Sequence, residues 1–227
     1  MGTEISLAQK FFENHYNHRK RVREQCESDN KSLVKVRDDV VSVIVSHHQR
    51  IAGIQYKHED NRMHLIAQLM TGLDLAYVSI VEGLLAQASN LQKQQIEAIT
   101  AIAEIERGRR KDGSTPNVKN SAPPGFYNQY QALNNAAHPS VAEMVEQLNH
   151  FDAGDKSGPT HAPQYYPEHA RILLANHCIY TLNIWRDAAR IFANTFGKES
   201  TKEELNTINT AIHTLMEGGY IKLNNQR

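Results

Sequence analysis

Apolar side chains recur at steps of three and four along much of this chain. Met63, Ile66, Met70, Leu73, Tyr77, Ile80, Leu84, Ala88 and Leu91 keep the step, and Ala98, Ile102 and Ile105 continue it past the polar pair Gln94 and Gln95. That spacing stacks side chains on one face of a 3.6-residue helix. It predicts a single long helix with a buried seam, capped at Asp60 or Asn61 and ended by Gly108. A second pattern runs through Leu7, Phe11, His15, His18, Val22, Cys26, Asp29, Leu33, Val36, Val40, Val43, His47, Ile51 and Ile54. Its register survives the polar stretch CESDNKS, so one bent helix, or two nearly collinear helices meeting at residues 28–30, is expected. A short turn at residues 57–61 then makes the two long elements antiparallel neighbours. The expected fold class is all-α, an elongated helical bundle built on a long antiparallel, coiled-coil-like hairpin spanning residues 1–108.

Beyond the hairpin the pattern changes. Residues 109–138, RRKDGSTPNVKNSAPPGFYNQYQALNNAAH, are rich in Pro, Gly, Asn and Ser and read as a flexible linker or loop. Residues 139–227 are expected to supply helices that pack back on the hairpin, giving one domain overall. A short helix over 139–149 opens with Pro139, and a longer one runs from Pro167 through Phe196 to a stop at Gly197. The last helix, 201–217, follows a capping box of Ser200 with Glu203. No alternating strand pattern and no internal repeat is visible.

Composition narrows the function classes. The chain has 227 residues, with 25 basic and 25 acidic side chains and 12 histidines. A charge balance near zero argues against bulk nucleic-acid binding and against attraction to an acidic membrane. Cys26 and Cys178 stand alone, without a C-x-x-C pair, and read as free thiols in a reducing cytoplasm. The N-terminal stretch MGTEISLAQKFFENHYNHRKR lacks the apolar run of a signal peptide. The stretch LIAQLMTGLDLAYVSIVEGLLAQ is apolar enough to suggest a membrane span, but Asp74 sits in its middle, and a carboxylate at the bilayer centre is strongly disfavoured. The expectation is a helix buried against protein.

Few constellations carry chemistry. His15, His18 and His47 lie on an apolar seam, and the expected hairpin sets the first two near Glu97 and Glu104. Without a Glu-x-x-His pair on facing helices, no metal and no cofactor is expected there. Two basic runs, RKRVR and RGRRK, make Arg19, Arg21 and Arg23, with Arg107, Arg109, Arg110 and Lys111, a candidate anion patch. A hairpin turning near residue 58 brings the runs toward the same end, roughly 20 Å apart. The segment HARILLANHCIY, with Arg171 and His177 on one helix, resembles the Arg-x4-6-His signature of HEPN ribonucleases. The resemblance implies acid or base chemistry at His177 and a grip on the scissile phosphate by Arg171. Ile172, where the usual pattern has a polar residue, departs from it. The match covers seven residues, and the plainer reading is a surface arginine and a partly buried, hydrogen-bonded histidine. Walker A, dinucleotide-binding, zincin and nucleophile-elbow motifs are all missing from the sequence.

The sequence thus points to a non-enzymatic binding or assembly protein that works through protein–protein contacts, as a homo-oligomer and with an unidentified protein partner. Seam residues at the open end, among them Leu7, Phe11, Ile102 and Ile105, are expected to need a second chain to cover them. The ribonuclease and a membrane-inserting helical protein are the alternatives.

Overall fold

A helical hairpin is present, but it turns at Gly83 and not at residues 57–61. In the computed structural model, which describes residues 6–54, 61–137, 146, 148–152 and 154–222, helix α3 spans Asn61–Val81 and α4 spans Leu85–Glu106. Gly83 takes φ +77° between them, and the Leu84 N–H donates to the Ser79 carbonyl at 2.8 Å while the Gly83 N–H donates to that of Ile80 at 3.1 Å. This is a Schellman end, and it requires a left-handed residue at Gly83. A side chain there is also excluded by space, since a Cβ would lie 2.6 Å from the Gln164 carbonyl oxygen. The arms of the turn pack antiparallel, with Arg62 at one end within 3.7 Å of Glu106 at the other. The expected single helix over 61–108 is therefore two helices. The expected seam is buried in α3 at Ile66, Leu73, Tyr77 and Ile80, whereas in α4 its Leu91, Ala98 and Ile105 are half-buried and Gln92, Gln95, Ile96 and Ile99 are buried instead.

The first segment matches its expectation more closely. Helix α1, Leu7–Asp29, and helix α2, Lys31–Gln49, meet at Asn30, whose N–H still donates to the Cys26 carbonyl and whose carbonyl accepts from Val34. The expected turn at 57–61 lies largely outside the described residues. α2 packs against the two C-terminal helices, α7 over Pro167–Phe196 and α8 over Lys202–Glu217, and α7 also packs on α3 and α4. The long hairpin pairing residues 7–54 with 61–108 is thus replaced by a body in which α7 lies at the centre. Its Leu174, Tyr180, Ile184, Ile191 and Phe192 are fully buried.

Two further expectations change. Within 109–138, residues Val118–Ser121 form a short helix α5, and Phe126–Ala137 form α6, which packs on α4 through buried Phe126 and Leu133. The Pro, Gly and Ser content that suggested a loop lies before Phe126, and Phe126 and Leu133 beyond it are buried where α6 packs on α4. Residues His150–Asp152 (β1) and Ser157–Pro159 (β2) pair as a small antiparallel hairpin, too short to register as an alternating pattern. Most of the expected 139–149 helix lies outside the described residues. α7 opens with Pro167 at its first turn and ends at Gly197 with φ +63°, as its punctuation implied. The capping box of α8 sits one residue later than expected, on Thr201 and Glu204.

Candidate functional site

Helix α1 leaves the body of the molecule. Of its 23 residues only Val22 and Cys26, both in its second half, are buried, whereas Leu7 is 85% exposed, Phe12 68%, Tyr16 60% and Phe11 44%. The first turn holds itself together through a capping box, Ser6 accepting from the Gln9 N–H while the Gln9 side chain accepts from that of Ser6. Touching this half are the loop after β2 and little else. His15 lies 3.3 Å from the His161 carbonyl, and the Phe11 ring lies against those of His15 and His161. Phe11, Asn14, His18, Arg21 and His161 line an open groove of about 670 Å³ along it.

The second half of α1 is clamped by charge. Glu82, at the α3 turn, lies 3.4 Å from Arg19 and 3.5 Å from Arg23. Arg23 also donates to Glu27 at 3.0 Å, and Glu27 accepts the Tyr77 hydroxyl at 2.8 Å. The Arg37 guanidinium stacks 4.2 Å above the Tyr77 ring and pairs with Asp38 and with Asp74 at 3.1 Å. Glu27 holds Arg23 in its charged form, so its pKa is raised; burial and the bond to Glu27 push the Tyr77 hydroxyl up as well. The chain of contacts joins α1, α2 and α3 at the root of the projection. Asp74, the residue that spoke against a membrane span, is on its exposed edge. By length and composition α3 can cross a membrane, but in this fold Ile66, Leu69, Leu73, Tyr77 and Ile80 face protein.

The structure separates the candidate anion patch. Arg19 and Arg23 are at the Glu82 end of α3, and Arg21 lies beside His18 at 3.3 Å. Arg107 donates to the Ser121 carbonyl and Arg110 lies 3.6 Å from Glu104, at the Arg62–Glu106 end of the hairpin; Arg109 and Lys111 line a recess there with Asn117 and Asn120. The runs are therefore about 30 Å apart, the length of the 20 residues of α3 between them. They lie at opposite ends because the turn is at Gly83. The histidine grouping fails for the same reason. Glu97 accepts the Tyr130 hydroxyl, Glu104 accepts the Asn117 N–H, and His47 packs edge-on against Phe192 with Nε2 3.0 Å from the Lys198 carbonyl. Among the described residues no group of three His, Cys, Asp or Glu side chains could hold a metal.

Arg171 and His177 share a helix but not an environment. Arg171 is on the surface, paired with Glu168 at 2.5 Å and close to the Tyr220 ring. His177 is completely buried, with neither ring nitrogen hydrogen-bonded, which corrects the expectation of a partly buried, bonded ring. Burial, with Arg37 nearby, lowers its pKa to about 3, so the ring is neutral. A phosphodiester cannot reach it in this fold. The two thiols are also enclosed, Cys178 donating to the Leu33 carbonyl, and burial pushes both up to about 12.

What the sequence reading missed is how unevenly the open end is covered. Ile102 is fully buried, on a helix packed by α3, α5, α6 and α7, whereas Leu7 and Phe11 stay exposed. Comparison with protein-family models, with curated proteins and with solved structures finds no match for this chain.

Proposed function

We propose that this chain is a non-enzymatic binding and assembly protein, acting in the cytoplasm through protein–protein contacts, of which self-association is one. The observation that carries the reading is the projecting half of α1, which presents Leu7, Phe11, Phe12 and Tyr16 to solvent from a helix clamped at its root and touched farther out by the loop at His161. Aromatic side chains on a rigid, clamped helix are good anchors, because large contact area is gained with little loss of conformational freedom. Four such residues offer on the order of 500 Å² per chain, or about 1,000 Å² for a pair, near the lower end for a specific interface. Association is therefore weak, and concentration sets its extent.

Light scattering on the intact chain over a concentration series tests this. The mass should rise with concentration, and Phe12→Glu should reduce that rise without changing the circular dichroism. A constant monomer mass at high micromolar concentration removes self-association. RNA cleavage that disappears in His177→Ala replaces the reading with the ribonuclease one.

A further inference from the structure

We propose that the recess beyond the end of α4 binds the phosphate group of a small phosphate ester, independently of any self-association. Of the four cations in the run RGRRK, the fold uses two to fix the chain. Arg107 donates to the Ser121 carbonyl at 3.2 Å, and Arg110 lies 3.6 Å from Glu104. Glu104, 4% exposed, also accepts the Asn117 N–H at 2.7 Å, so one buried carboxylate ties the start of the loop to its end. The other two cations, Arg109 and Lys111, line the recess, and neither pairs with a carboxylate among the described residues.

A cation beside a helix C-terminus needs no ligand to explain it, because the last carbonyls favour positive charge. Two of those carbonyls are already closed within the chain, Ile105 accepting the Gly108 N–H at 3.0 Å and Glu104 the Arg109 N–H at 2.8 Å. The nearby buried carboxylates are taken too, Glu104 by Arg110 and Glu106 by Arg62 and Arg190. Asp112, which follows Lys111, is exposed and outside the lining. What faces the recess besides the two cations is a set of short polar groups, Ser114, Thr115, Asn117 and Asn120, around about 410 Å³. The Asn117 Oδ1 accepts the Asn120 N–H at 3.3 Å, which leaves the Asn117 amide nitrogen to donate, and the Thr115 hydroxyl has no partner among the described residues. Two positive charges with amide and hydroxyl donors around them are the chemistry that holds a phosphate oxyanion. The volume suits one small molecule. A chain with 25 basic and 25 acidic side chains, whose two basic runs lie at opposite ends, offers no continuous track for a polyanion.

Calorimetric titration of the intact chain at low salt, with glycerol 3-phosphate as the probe, tests the site. Glycerol 3-phosphate should bind saturably, and glycerol should not bind. Arg109→Gln and Lys111→Gln should each raise the dissociation constant about tenfold, and Thr115→Val about threefold. Melting temperature should hold in all three, because these side chains are exposed. Lys20→Gln, at the opposite end of α3, should bind as wild type does. Absence of saturable binding by the wild type at millimolar probe overturns the proposal. Equal weakening in Lys20→Gln and Arg109→Gln also overturns it, since the attraction then belongs to charge spread over the surface. So does single-stranded RNA that binds far more tightly than glycerol 3-phosphate and is weakened alike by Lys20→Gln and Lys111→Gln, which would make the two basic runs one nucleic-acid surface.

Discussion

Helices α1 and α7 carry the same three-four apolar spacing and meet opposite fates. α7 buries 14 of its 30 residues, and α1 buries two of 23. The difference lies in neighbours. α7 has α2, α3 and α4 around it, whereas α1 meets α2, α3 and α7 sparsely and, in its first half, the loop at His161. Periodicity states that a helix has an apolar face. What covers that face is decided by where the rest of the chain turns back.

The strongest way to break the comparison is to put one charge into each helix. Leu174→Asp puts a carboxylate at a fully buried position and should destabilise the fold by ~4 kcal/mol or more, a large part of the total stability of an ordinary domain. Phe12→Asp should move the chemical-denaturation midpoint by less than ~0.5 kcal/mol equivalent. Equal losses in the two variants would mean that α1 is covered within the chain.

Acid sharpens the contrast, because α7 holds a histidine that cannot charge. His177 has a folded pKa lowered to about 3 against an ordinary value of 6.5, so between those values the unfolded chain binds a proton that the folded chain refuses. Its effect on stability is nil above pH 6.5 and grows as the pH falls, by at most ~1.4 kcal/mol per unit. His47, lowered by burial, acts in the same direction. Urea unfolding followed from pH 7.5 to 5, above the carboxylate range, should show stability falling with acid, and His177→Met should flatten that slope by close to one proton. At pH 7.5 the same variant should be more stable by about 1 kcal/mol, since it removes two unsatisfied nitrogens. An unchanged slope would show that His177 finds solvent or a partner.

These contrasts also mark what the sequence could say. The helices over 7–49 and 167–217, the Gly197 stop, Pro167 and the buried side of α3 were legible, because local spacing and punctuation determine them, whereas α6 was not; Leu73 is buried and Asp74 exposed, as the seam requires. The turn at Gly83 was not read. Apolar spacing runs unbroken through the segment VEGLL, and only the glycine itself, favoured at a left-handed helix end, gave a signal. That one position moved the two basic runs to opposite ends and parted His15 and His18 from Glu97 and Glu104. The Glu82 clamp was similarly hidden, since it joins residues about 60 apart in sequence.

A smaller effect is expected at the clamp. Glu82→Gln removes the charge that Arg19 and Arg23 share at 3.4 and 3.5 Å, distances at which partly exposed pairs contribute modestly. Global stability should fall by no more than ~1 kcal/mol. Amide exchange in residues 7–23 should quicken, while exchange in α7 stays as slow as global unfolding. Uniform quickening of both helices would mean that α1 is no separate unit.

The smallest effect on stability belongs to the tip of α1, and it separates folding from association most cleanly. Leu7→Ser removes a side chain that is 85% exposed, so almost no apolar area returns to water on the folded monomer, and neither the Ser6 nor the Gln9 side chain of the capping box is touched. Melting temperature in dilute solution should match wild type within error. At high concentration the variant should associate more weakly than wild type, though less weakly than Phe12→Glu, because one aliphatic contact at the edge of the patch is lost without an added charge. A lowered melting temperature with unchanged association would invert the assignment and make the tip of α1 part of the fold's own support.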